Sequence, residues 1–262
     1  MEFSPSEEQV YVRQVASQIL QDQFSDEALV AFEASGEPMH AEAWHHLAEA
    51  GLLGLNLPER LGGMNLGLME LLVLVEETGR AVAPVPVAST LVLGALPIVE
   101  FGSESQRSLF LTGVAEGTRL LTAALTDAGA SEPYAVATTA RVDGDGWVLD
   151  GVKQAVPALL SANYVIVPAQ TRDGLRCFVV STSQGGVNVT LQRLMNDELA
   201  GQLTLEAVHV SDEARLDGLT VEWLVDRALL AQAAEILGMG RAALALTASY
   251  TGTRRQFGTP IG

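Results

Sequence analysis

Three patterns of apolar and polar residues succeed one another along the chain, and each predicts a different kind of element. Up to about Gly117 the apolar positions recur at helical spacing. Val10, Val12, Val15, Ile19 and Leu20 fall on one stripe. Ahead of them, Ser4-Pro5-Ser6-Glu7 has the spacing of a capping box with proline at the first helical position. "AEAWHHLAEAG" is a second helix, with Trp44, Leu47 and Ala48 inward and Gly51 as a left-handed stop. "LMELLVLVEETGRAV" is a third, and "SESQRSLFLTGVAEG" opens on a Ser-x-x-Gln cap.

From Arg119 to Leu216 the period shortens. "TRLLTAAL", "AVATTARV", "WVLDGV", "NYVIVPAQ", "LRCFVVS" and "LTLEAVHV" are rich in Val, Thr and Leu and are separated by Gly and Asp. "DGDG" at Asp143–Gly146 joins two of these runs as a hairpin. Strands at this spacing without helices between them predict a small antiparallel barrel or sandwich.

Beyond Val221 the helical period returns. Only Gly238, Gly240 and a few β-branched residues interrupt it before Thr251, so it predicts a rod of about 46 Å. Ala228, Ala231, Ala234, Gly238, Ala242 and Ala245 give the rod small residues that let other helices approach. A rod this apolar calls for about three more helices around it, and the sequence supplies none. The chain is therefore expected to be α+β: a helical domain over 1–117, an antiparallel β-barrel domain over 118–216, and the first long helix of an incomplete C-terminal helical bundle over 217–262. A fragment of a longer enzyme, a short subunit, or a chain cut inside that bundle would each end this way.

Composition narrows the functional classes. Fifteen basic and 32 acidic residues leave a formal charge of −17, a surface that repels nucleic-acid phosphates and anionic lipid. A few local arginines can still hold an anionic cofactor, because screening confines distant charge to about 8 Å. Cys177 is the single cysteine, so there is no intrachain disulfide, and it reads as a buried strand residue. His45 and His46 are adjacent and face different sides of a helix, and His209 lies in a strand as a structural residue; no metal site is expected. The uncharged run Ala81–Val99 is broken by Pro84, Pro86 and Pro97, which favours a bent buried segment over a membrane span. "MEFSPSEEQV" has no apolar core and is not a secretory signal, so the expected location is cytoplasmic.

Four segments carry more specific information. "GLLGLNLPERLGG", "LTDAGAS", "TTARVDGDGWVLDGVK" and the closing "TRRQFGTPIG" occur in this order. Together with the succession of helical, β and helical regions, they resemble the acyl-CoA dehydrogenase family along the whole chain. The Arg254-Arg255-Gln256-Phe257-Gly258 run is the most specific of the four. The resemblance implies FAD as cofactor and an acyl-CoA thioester as substrate. A glutamate removes the α proton while the β hydrogen leaves as hydride. It further implies a homologous subunit in a homo- or heterotetramer, and an electron-transfer flavoprotein as acceptor. By the same resemblance, Leu125, Thr126 and Ser131 would contact the flavin, with Asp127 in the place of a family glutamate. Ala155 and Pro157 would face the flavin, and Arg254, flanked by Gln256 and Phe257, would clamp the pyrophosphate of a flavin held mainly by another chain.

Two departures from the family pattern bear on activity. Where the family has Trp-Ile-Thr, this chain has Ala155, Val156 and Pro157, which offer no ring and no hydroxyl. Where some members carry the catalytic glutamate on the long helix, this chain has Ala228; Glu222 and Glu235 stand at non-matching positions and read as surface or inter-helix residues. No catalytic base is assigned within the chain. The altered strand resembles actinobacterial members that act on bulky CoA thioesters such as steroid side chains, often as two different chains. Two readings follow: a subunit or fragment of a dehydrogenase, or a non-catalytic subunit that completes a partner's flavin site.

Overall fold

A computed structural model describes residues 4–130 and 135–262. Six α-helices precede the sheet: α1 (Glu7–Gln23), α2 (Asp26–Ser35), α3 (Ala41–Glu49), α4 (Leu68–Arg80), α5 (Leu96–Phe101) and α6 (Glu104–Leu111). The first begins later than expected. Ser6, not Ser4, is the N-cap, because Gln9 rather than Glu7 returns its side chain to the cap backbone. The capping box of Ser103 with Gln106 and the left-handed Gly51 (φ 75°) are where the pattern placed them. The uncharged Ala81–Val99 run turns into a π-helical segment, Ala88–Ala95, that feeds α5 and is almost entirely buried.

Eight strands form one sheet: β1 (Leu121–Ala123), β2 (Thr139–Asp143), β3 (Gly146–Pro157), β4 (Tyr164–Thr171), β5 (Gly174–Ser181), β6 (Val187–Arg193), β7 (Leu199–Ser211) and β8 (Arg215–Leu216). The expected antiparallel barrel is not what forms. The strand order β6-β7-β3-β2-β4-β5-β8 runs from edge to edge without closing, and β4 pairs in parallel with both β1 and β2. Both parallel pairings involve β4, which takes β1 over Leu121–Ala123 and meets β2 at Thr139. The Asp143–Gly146 turn does form a hairpin, with Gly144 at φ 62°. Cys177 is buried in β5, whereas His209 is exposed on β7 beside Asp143 at 3.3 Å rather than forming part of a core.

The last helix, α7 (Val221–Thr253), is followed by a two-residue hairpin of β9 (Arg255–Gln256) and β10 (Thr259–Pro260). Here the expectation of an unpaired rod needs correction, since α4 lies along its first half. Gly79 of α4 and Gly238 of α7 bring the backbones together: a Cβ at Gly238 would lie 1.9 Å from the Glu76 carbonyl oxygen, and one at Gly79 would lie 2.3 Å from that of Glu235. Charge reinforces this seam. Arg13 of α1 donates to Glu76 at 3.0 Å and to Glu77 at 2.9 Å, Arg80 reaches Glu77 at 3.4 Å, and Arg241 of α7 pairs with Glu76. Hydrogen bonding to Glu76 raises the Arg13 pKa, despite partial burial. One hydrophobic core therefore runs from α1 and α4 through β1 to Leu224 and Ala231 of α7, while a second lies within the sheet.

The far half of α7 is different. Leu244, Leu246 and Tyr250 are exposed, as are Phe257 and Ile261 beyond it. By length and composition alone α7 is apolar enough to cross a membrane, the one such helix among the described residues.

Candidate flavin-facing loop and acyl cavity

The loop after β1 is pinned to β3 by a buried ionic tie. Asp127 accepts from the backbone N–H of Thr138 at 2.8 Å, from the Thr138 hydroxyl, and from the Lys153 ammonium. The Lys153 and Asp127 side chains are 0% and 2% exposed. Burial lowers the Lys153 pKa, and Asp127 opposes the shift. Backbone bonds extend the tie: Gln154 donates to the Thr126 carbonyl and Ala128 to that of Val152, both at 2.9 Å. Asp127 thus holds the loop in place and is buried away from any ligand in the solvent-facing space.

This arrangement brings Leu125 and Thr126 beside Ala155. Leu125 and Thr126 are half-buried, and among the described residues their N–H groups and the Thr126 hydroxyl have no partner. Three donors on one short loop fit the acceptor-rich edge of an isoalloxazine ring. The end of β3 fits it less well. Between Lys153 and Val156 the register with β7 slips, and Ala155 is the exposed residue of the bulge at φ 51°. Its N–H is taken by the Gln192 side chain of β6 at 2.7 Å. Pro157 has no N–H, and its carbonyl accepts from Thr122 at 2.7 Å. The loop side of a flavin would find backbone donors here, and on the strand side neither Ala155 nor Pro157 would offer one. Nothing in the sequence pattern singled out Gln192, whose role depends on the bulge. Ser131 lies outside the described residues.

Arg254, Gln256 and Phe257 are elsewhere. Arg254 caps the C-terminus of α7, with its N–H bonded to Tyr250, and all three side chains are exposed. Among the described residues none of them bonds to the sheet, so the structure does not bring them to Thr126 or Ala155 within one chain. Ala228, in the position where some family members have the base, is half-buried against the helical core.

A cavity of about 460 Å³ adjoins the end of β3 at Ala158. Phe32, Val82, Pro84, Leu199 and Met239 line much of it, and Glu235 of α7 enters it half-buried. Burial, and after it the charge of Glu198, pushes the Glu235 pKa from its ordinary 4.5 up to about 7. The lining is mixed, with apolar side chains on one part and Glu33, Glu37, Asp197 and Glu198 on another, and a cavity of a few hundred Å³ holding a perturbed carboxyl is a candidate binding pocket. Glu235 was read from sequence as a surface or inter-helix residue, and only the folding of four distant segments around it reveals the cavity.

Known proteins are similar along the same succession of elements. The family described as acyl-CoA dehydrogenase, N-terminal domain, matches residues 6–118. Acyl-CoA dehydrogenase FadE28 of Mycobacterium tuberculosis is 35% identical over the whole chain, which spans 69% of that protein. FadE27 of the same organism is 33% identical over 84% of the chain, which spans 58% of it. Among solved structures, a variant of the Tcur3481-Tcur3483 steroid ACAD superposes with a TM-score of 0.91 at 42% identity, covering 98% of this chain and 70% of that one. The ChsE4-ChsE5 complex from Mycobacterium tuberculosis gives a TM-score of 0.93 at 29% identity, over 100% of this chain and 71% of its own. The likeness reaches from the capped first helix through the sheet to the arginines beyond α7, and the chain belongs to the acyl-CoA dehydrogenase family.

Proposed function

We propose that this chain is a subunit of an FAD-dependent acyl-CoA dehydrogenase that desaturates acyl-CoA thioesters at the α,β-carbons, bulky or steroid-derived ones included. The observation that carries the reading is the adjacency of the donor loop at Leu125–Thr126, the end of β3 and the cavity at Ala158. The likeness to a steroid ACAD supports the bulky class of substrate. FAD supplies the two-electron acceptor for the β hydrogen. The chain's own residues bind and orient. Leu125 and Thr126 would donate to the ring edge, the Asp127–Lys153 tie keeps their loop against β3, and the cavity would position the acyl group. Arg254 reaches outward to a neighbouring subunit's pyrophosphate, where its planar fork suits a phosphate better than lysine would. Position 228 is alanine and no base is assigned among the described residues, so the α proton would be taken by a carboxylate from a partner subunit or from sequence beyond that given. Electrons pass on to an electron-transfer flavoprotein.

A second reading has specific support: Gln192 occupying the Ala155 N–H, Pro157 and Ala228 together describe a non-catalytic subunit that completes a partner's flavin site. Dye-coupled oxidation of acyl-CoA separates the two. The full chain is assayed alone and with a homologous subunit from the same source. Turnover that appears only in the mixture, and that survives inactivation of this chain's Thr126 (Thr126→Ala), assigns the chemistry to the partner. Loss of all turnover in that variant assigns it to this chain.

A further inference from the structure

Glu235 is held where it is by backbone contact. Gly79 lets α7 approach α4 so closely that the Glu235 carbonyl occupies the space a Cβ would need. Among the described residues, its carboxyl meets no cation and no hydrogen-bond donor; its one charged influence is Glu198. Glu198 stands in the β6–β7 turn with Arg193 and Asp197, and the last two pair with each other at 3.2 Å. Glu33 and Glu37 also line the cavity, exposed, from α2 and the turn that follows, while α4 presents only uncharged Thr78 and Gly79, its Arg80 being tied to Glu77. None of these lining groups is a histidine.

We infer that Glu235 is a specificity-determining residue: it hydrogen-bonds a hydroxyl or ketone oxygen on the distal part of an uncharged acyl group, and the acidic wall beside it turns away acyl groups that end in a carboxylate. The inference rests on reading the cavity as the acyl pocket. A plain hydrocarbon filling the cavity would strip water from a carboxyl that has no other partner, which is costly. A hydroxyl restores the lost bond, as donor to the ionised carboxylate or acceptor from the protonated one, and a ketone restores it with the protonated form alone. Sites built this way reject the analogue that lacks the polar group. A terminal carboxylate meets like charge from Glu235 and Glu198, while the only guanidinium in the wall is already paired. Because the carboxyl titrates near neutrality, the rejection strengthens with pH.

The assembled protein, full chain with its partner subunit, is titrated calorimetrically with three series of CoA thioesters of six to twelve carbons: plain, ω-hydroxy and ω-carboxy. At some chain length the ω-hydroxy thioester binds roughly fivefold tighter than the plain one, and the ω-carboxy thioester roughly tenfold weaker. Glu235→Gln keeps the hydroxyl preference and removes most of the carboxylate penalty. Glu235→Leu loses the hydroxyl preference. Between pH 6 and pH 8 the carboxylate penalty grows in the native protein and stays flat in Glu235→Gln. Equal binding of the three series, or discrimination unchanged in both variants, overturns the specificity claim and leaves the dehydrogenase reading standing. Failure of every thioester to bind overturns both.

Discussion

The seam between α4 and α7 can be tested by adding a single methyl group at two glycines two residues apart. At Gly238 the new Cβ would lie 1.9 Å from the Glu76 carbonyl oxygen and 2.6 Å from the Arg80 nitrogen, both backbone atoms of α4. At Gly240 nothing lies within 4 Å. Each substitution gains about 0.8–1 kcal/mol of helix propensity. In Gly238→Ala the helices must part by more than an ångström, which strains the Arg241–Glu76 pair as well. Overpacking of this kind costs typically 1–3 kcal/mol, and two backbone clashes put it at the upper end. The net expectation is a loss of about 2 kcal/mol for Gly238→Ala and a gain of up to about 1 kcal/mol for Gly240→Ala. For a chain of this size, the gap of about 3 kcal/mol corresponds to roughly 6–12 °C in Tm. Thermal unfolding followed by circular dichroism on the full chain measures it. Two variants melting within about a degree of each other would refute the close packing of α7 on α4.

Further predictions concern the ionic tie, the cavity and the tip of α7. Lys153→Met strands Asp127 without its cation at a site closed to water, and the expected loss is about 3–5 kcal/mol by urea unfolding; replacing both partners by apolar residues should recover most of it, and an unaffected single variant would count against the tie. Glu235 makes stability depend on pH in a definite direction. Its folded pKa of about 7 exceeds the ordinary 4.5, so its contribution is fully present below pH 4.5 and is lost as pH rises through 7. Glu235→Gln should therefore match the native protein near pH 4.5 and exceed it at pH 8 by up to about 3 kcal/mol; a constant difference across that range would show that Glu235 is solvated. Arg254→Ala should leave Tm unchanged, since the side chain is exposed and unpaired among the described residues, yet release FAD more readily from the assembled protein on dilution; equal retention would place the pyrophosphate elsewhere.

Local chemistry made much of the fold legible in advance. The Ser103 box, the Gly51 stop, the Asp143–Gly146 hairpin and the unbroken run after Val221 each depend on residues within a few positions of one another, and each forms. Among the elements that went unpredicted are α2 and β6. The α2 helix buries no residue fully, so its apolar stripe is weak, although Ser25 ahead of Asp26 and Glu27 was an available cap signal. The edge strand β6 is largely exposed, but Val187, Val189 and Leu191 do alternate with polar residues. The site was less legible, for a different reason. Ala155 looked like a lost flavin contact, but its capture by Gln192 follows from a bulge that neither residue encodes. Asp127 resembled a cofactor ligand in its motif, whereas burial with Lys153 makes it a strut. The surroundings of Glu235 are assembled from α2, α4, the β6–β7 turn and α7, and no spacing within one segment records that meeting.

On the function proposed above, this chain holds only part of a flavin site, with donors at Leu125 and Thr126 and none from Ala155 or Pro157. The direct measurement is the molar ratio of FAD to polypeptide, read from visible absorbance after gel filtration of the full chain alone and with its homologous partner. The account predicts a ratio far below one for the chain alone and a bound flavin in the mixed assembly. A stoichiometric, catalytically reducible flavin on the chain alone would contradict it.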